Sequence, residues 1–182
     1  VKLGVSVIIQ IREMKQSDLS TIARVNVEVF RETHRGIVPQ AFIADLSYER
    51  AEQRFRRMLA KKERKAALFV AEDGYSIIGY AMGGLAREKV QDFDSELYGI
   101  YILPTHHGMG VGRNLVSAIA KYLKEHNAHS MFVVVFSDNM SARNFYQALG
   151  GQKVYVRTIE LCGENIQEVI YGWSSLDGLF HK

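Results

Sequence analysis

The chain has 182 residues, enough for one domain with one sizeable core, and its 47% hydrophobic and 24% charged residues are ordinary for a globular protein. A formal charge of +3 is too small to imply nucleic acid, and the single cysteine, Cys162, excludes an intramolecular disulfide framework. No apolar stretch approaches the ~20 residues of a membrane-spanning helix, so a cytoplasmic protein with neither membrane nor nucleic-acid partners is expected.

Residues 1–11 carry one lysine and a short apolar run broken by Gln10, and read as the start of a strand rather than a signal peptide. The missing initial Met suggests that Val1 is a trimmed start. Residues 5–14, rich in Val and Ile, form the first predicted strand. Ser17 and Asp18 suit a helix start, after which Leu19, Ile22, Val25 and Val29 recur at helical spacing. Pro39 interrupts the pattern and leaves residues 33–45 as a loop or short irregular helix. Residues 47–62 are a second predicted helix, with Phe55 and Leu59 four apart and Arg50, Arg54, Arg57 and Lys61 on a solvated face.

Two strands, 67–72 and 75–82, flank Asp73-Gly74, a strong hairpin signal. A polar loop over 85–95 leads to a strand at 96–103. The next helix, 111–125, turns Val111, Leu115, Ala118 and Tyr122 to one side. Residues 131–136 are continuously apolar, as in a strand buried on both faces. Residues 139–149 form a helix with Ala142, Phe145, Tyr146 and Leu149 on one face, ended by Gly150-Gly151. A last hairpin, 154–161 and 166–173, turns near Gly163. The order β-α-α-β-β-β-α-β-α-β-β contains one strand–helix–strand crossover, from 96–103 to 131–136, and predicts an α/β domain over residues 1–182.

The run His107-Gly108-Met109-Gly110-Val111-Gly112-Arg113 lies between that strand and the helix after it. Glycine at alternate positions lets backbone N–H groups approach an anion, and the helix N-terminus adds partial positive charge. A P-loop needs Lys-Ser/Thr after the last glycine, which is absent, and a dinucleotide fingerprint needs a third glycine where Leu115 stands. The pyrophosphate of coenzyme A is the remaining phosphate ligand, beside the plainer reading of a tight strand-to-helix turn.

The run resembles motif A of the GNAT superfamily of acyl-CoA N-acyltransferases, Gln/Arg-x-x-Gly-x-Gly/Ala, with His107 at the first position as a departure. Asn139-x-x-Ala142-x-x-Phe145-Tyr146-x-x-Leu149-Gly150 looks like the family's motif B, with Gly151 in place of the usual Phe. The two motifs occupy residues 96–150, and the order of elements agrees over nearly the whole chain.

That resemblance implies a central mixed sheet of about seven strands and about four helices, in which the fourth and fifth strands are parallel and splay apart beside a bulge. It implies acetyl-CoA as co-substrate. Pantetheine would lie along Ile100, Tyr101, Ile102 and Leu103, and the pyrophosphate on residues 107–113, with Asn139 and Ala142 near the cofactor. Tyr146 stands at the family's general-acid position, although its helical spacing also suits an apolar face. Glu96 is the expected general base, against a solvated strand-end charge. Asn139 suits a helix cap as well as a cofactor contact. Phe30, His34 and Tyr80 are expected in the acceptor pocket. No metal is expected, because ligation by the loop histidines would compete with phosphate. The expected activity is acetyl transfer to a primary amine by direct attack in a ternary complex, with a non-catalytic acyl-CoA-binding module as the alternative. The acceptor, a small molecule or a peptide or protein amine, is left open. So is the assembly, homodimers being frequent in the family.

Overall fold

The computed structural model describes residues 8–74 and 76–180, so the start of the first predicted strand, residues 5–7, lies outside the described residues. Along the chain stand β1 (Ile9–Glu13), α1 (Leu19–Thr33), α2 (Gln40–Asp45), α3 (Tyr48–Ala60), β2 (Ala67–Asp73), β3 (Ser76–Leu85), β4 (Ser95–Ile102), α4 (Val111–Glu125), β5 (Met131–Phe136), α5 (Met140–Ala148), β6 (Gln152–Leu161) and β7 (Glu164–Trp173). The strands form one sheet in the order β1-β2-β3-β4-β5-β7-β6. Among the described residues, β4 and β5 are the one pair of neighbouring strands that run parallel.

Local chemistry explains the element ends. Pro39 precedes α2, which resolves the ambiguous 33–45 segment into a bridge followed by a short helix. The Ser47 hydroxyl accepts from the Arg50 N–H at 3.1 Å and starts α3. β3 runs to Leu85, three residues past the expected end, because Gly83, Gly84 and Leu85 continue to pair with β4. Gly83 gives little hydrophobic signal, yet its lack of a side chain is what lets α4 close down: a Cβ there would lie 2.6 Å from the Ile119 side chain.

Two apolar layers sandwich the sheet. On one face α4 supplies Leu115, Val116, Ile119 and Leu123, packed with Ala81, Leu97, Val133 and Tyr171. On the other, α1 and α3 supply Leu19, Ile22, Val25 and Phe55 against Leu68, Val70, Tyr80 and Met82. Each fully buried Leu or Ile contributes roughly 1.5–3 kcal/mol relative to an exposed one, so these layers fix the faces of the helices. A third group, Val90, Phe132 and Ile170, sits under the β3–β4 loop.

The parallel pairing of β4 with β5 is confined to Ser95, Glu96 and Leu97 opposite Met131, Phe132 and Val133. Against β3, Met82 pairs with Gly99 and Gly83 with Leu97, so Tyr98 is an extra, bulged residue. The bulge shifts the side-chain alternation. Leu97, Ile100 and Ile102 pack toward α4, while Tyr98 and Tyr101 pack toward α1. It begins where the β4–β5 pairing stops, leaving one edge of β4 open.

Candidate active site

A cavity of about 600 Å³ occupies that split. Its walls come from the C-terminal part of α1 (Val29, Phe30, Thr33, His34), from residues 98–102 of β4, from β5, and from α5 with Asn139, Ala142, Phe145 and Tyr146. Its floor at one end is the loop before α4, including His107, Gly108, Gly110, Val111, Gly112 and Arg113. Arg87 and Glu168 also reach it.

The loop has the geometry of an anion cradle. Gly108 and Gly110 adopt φ of +76° and +79°, and a Cβ on either would meet nothing within 4 Å. Gly110 caps α4 without a side-chain acceptor, so the first amides of the helix point outward unpaired among the described residues. Gly112 is glycine for another reason: a Cβ there would lie 3.0 Å from the Phe145 ring. Arg113 adds a cation at the same end. The His107 ring is tied to the end of β4, its Nε2–H donating to the Ile102 carbonyl at 2.9 Å. His106 Nε2 meets the Asp73 carboxylate at 2.8 Å.

Tyr146 is buried, edge-on to Trp173 at 6.1 Å and tilted against Phe145 at 5.4 Å. Its hydroxyl has no hydrogen bond among the described residues, and burial, with the nearby Tyr101, pushes the phenol well above its usual pKa. It therefore keeps its proton as a donor facing the cavity. Asn139 caps α5, its side-chain oxygen accepting from the Ala142 N–H at 3.1 Å, so the capping expectation is met by direct geometry. Its amide nitrogen faces His34 Nε2 at 3.5 Å. His34 stacks on Phe30 at 4.0 Å, and burial pulls the imidazole below its usual pKa.

Several expectations need correction. Tyr80 does not line the cavity: it is fully buried, stacked on Tyr101 at 5.4 Å and hydrogen-bonded through its hydroxyl to Asn26 at 2.8 Å. Leu103 does not line it either. The Leu103 N–H is taken by the Ile78 carbonyl at 2.8 Å, leaving it no donor for a ligand, whereas Met109 exposes its side chain and brings only its backbone to the loop. Glu96 is neither solvated nor on the cavity wall. Its carboxylate accepts from the Arg87 backbone N–H at 3.1 Å, from Nε at 3.0 Å and from Nη2 at 2.5 Å, while the guanidinium lies 4.5 Å over the Tyr98 ring.

Arg87, Tyr98, Phe136 and Glu168 are cavity residues that the sequence reading missed. Arg87 lay in a stretch read as a plain loop, and Glu168 meets the cavity through its register opposite Phe136. Neither carries a local signal. Replacing Glu96 with Gln is expected to lower stability by roughly 1–2 kcal/mol, since Arg87 is partly open to solvent screening. The shape of any pH–rate profile should not change. Thermal unfolding and rates across pH check both parts, and a lost acid limb would restore Glu96 as the base.

Among the described residues, no three His, Cys, Asp or Glu gather as a metal site, and no helix is long and apolar enough to cross a membrane. The sequence model of the Acetyltransferase (GNAT) family matches residues 30–151. An uncharacterized N-acetyltransferase of Bacillus subtilis, YuaI, is 34% identical over 172 residues, covering 94% of this chain and 96% of its own. Among solved structures, YncA of Salmonella typhimurium, determined with acetyl-CoA, superposes with a TM-score of 0.72 at 19% identity over 93% of this chain and 94% of its own. The PaiA N-acetyltransferase of Thermoplasma acidophilum, determined with coenzyme A, gives 0.69 at 19% identity over 89% of this chain and 98% of its own.

Proposed function

The chain belongs to the GNAT family of acetyltransferases, and from that premise we propose that it transfers acetyl from acetyl-CoA to a primary amine by direct attack in a ternary complex. The observation that carries this reading is the open edge of β4 ending at a loop of unpaired amides. The pantetheine arm is itself amide-bearing and can add to that edge as a peptide would. Its pyrophosphate then reaches the amides of residues 108–113 and Arg113, where backbone donors and the helix N-terminus favour negative charge. Ile100, Tyr101, Ile102 and Ala142 flank the arm.

With the arm in place, the thioester lies deep in the split, near Tyr146. Attack by the amine breaks the C–S bond and sends the electron pair to sulfur. A phenol that keeps its proton stabilises that charge by a hydrogen bond. Phe30, His34, Phe136, Arg87 and Glu168 surround the acceptor. Glu96 serves by fixing Arg87 against Tyr98 rather than by taking a proton. Exposed Cys162, at the β6–β7 turn away from the cavity, has no part in the transfer.

Acetyl-CoA at a hundredfold excess over its Kd is expected to stabilise the fold by ~2.7 kcal/mol, because it binds only the native state. Thermal shifts with acetyl-CoA, CoA and NAD check this, and a shift with NAD alone would end the coenzyme A reading. Thiol release across a panel of amines then tests turnover. Binding of acetyl-CoA with no release on any amine would leave a binding module in place of an enzyme.

A further inference from the structure

We propose that His34 is the general base that takes the proton from the acceptor's ammonium, an assignment that rests on the acetyltransferase reading above. His34 caps the C-terminus of α1 and lies in the cavity wall, between the Phe30 ring and the edge of Phe136 at 5.4 Å. Its Nδ1 is 3.1 Å from the Phe30 carbonyl oxygen. A carbonyl only accepts, so Nδ1 carries the hydrogen and the neutral ring has its lone pair on Nε2. The neighbour of Nε2 is the Asn139 amide nitrogen at 3.5 Å, a donor at the long limit of a hydrogen bond. Asn139 is held back by its capping bond to Ala142. The lone pair is thus oriented by one bond, only weakly engaged by another, and on the wall where an amine would sit.

The surroundings keep the ring neutral and ready. Burial disfavours the imidazolium and outweighs the Phe30 carbonyl, whose bond to Nδ1 favours it. Tyr101, Tyr146, Arg87 and Glu168 share the cavity, and Glu32 and Asp138 border a second, open groove beside Thr33 and Asn139. None of these six bonds to the His34 ring among the described residues. Arg87 and Glu168 are already paired, with Glu96 and with Arg157. The acceptor nitrogen loses two protons in the reaction. One passes to Nε2 before attack and leaves to water. The other ends on the CoA sulfur as the N–C bond forms and the C–S bond breaks, with the Tyr146 hydroxyl hydrogen-bonded to that sulfur.

The test compares the parent with His34→Asn, which retains a donor toward the Phe30 carbonyl, and with His34→Gln as a second variant. Acetyl-CoA thermal shifts verify that each folds and binds cofactor. At neutral pH, kcat/KM should fall about 10²-fold. The loss should shrink as pH rises toward the amine's own pKa, where solution supplies the free amine. Nitrogen NMR of the parent should show His34 protonated on Nδ1 and bare on Nε2 at neutral pH, its signals assigned by their loss in the variant. A uniform loss at all pH values, an unchanged profile, or a ring protonated on Nε2 would overturn the assignment while leaving the acetyltransferase reading intact. A parent that binds acetyl-CoA and releases no thiol with any amine would overturn both.

Discussion

Replacing Tyr146 with Phe is expected to lower kcat about 10²-fold, or ~2.7 kcal/mol of transition-state stabilisation, while acetyl-CoA affinity stays within a few-fold. The substitution keeps the ring that packs on Trp173, Phe145 and Tyr171 and removes a hydroxyl that holds no hydrogen bond among the described residues. Stability should therefore change little, and the whole effect should appear in turnover. Because burial raises the phenol's pKa, the hydroxyl remains protonated across the working range. The parent should accordingly show no alkaline limb from Tyr146. Steady-state kinetics with saturating acetyl-CoA measure the loss. Turnover within a few-fold of the parent would reduce Tyr146 to a packing residue of the cavity wall.

Gly110→Val is expected to weaken acetyl-CoA binding by at least roughly 10-fold while the fold persists. At φ +79° a side chain costs about 1–2 kcal/mol, and a β-branched one costs the most. The loop relieves that strain by rotating its amides away from the anion. Each charge-assisted hydrogen bond lost is worth about 1.5–3 kcal/mol. The space around a Cβ at this position is open, so nothing in the packed core is disturbed. Calorimetric titration with acetyl-CoA, beside circular dichroism for the fold, reads the two effects apart. Gly112→Val is the useful contrast, because its side chain would strike Phe145 and should destabilise the fold as well. Normal affinity in a folded Gly110→Val protein would mean that the loop is not the pyrophosphate cradle.

Local rules carried much of the fold. Asp73-Gly74 turns a hairpin, with Gly74 at φ +67°. Ser47 and Asn139 cap helices through bonds made within three residues of themselves. The apolar spacing of 111–125 and the continuous run 131–136 each signalled the right element because burial imposes its period on the sequence. Where the reading fell short, the missing information was not local. The extension of β3 to Leu85 rests on pairing with β4 and on α4 packing over Gly83. Tyr80 had the residue type and position of a pocket residue, yet its place opposite Tyr101 in the register turned it into the α1 layer.

The sequence by itself determined the order of elements, the glycine loop and the pair of motifs that mark the family, since these depend on residue type at fixed short spacing. Only the tertiary structure decided what meets in the cavity. The bulge at Tyr98 rotates Tyr98 and Tyr101 toward α1 and leaves the edge of β4 open. Glu96 finds Arg87 across the β3–β4 loop, which binds its carboxylate and removes it from the wall. His34, 105 positions before Asn139, is brought beside it by the packing of α1 against the sheet. No spacing rule links such residues, because the distance between them is set by how helices stack on strands and not by the chain that joins them.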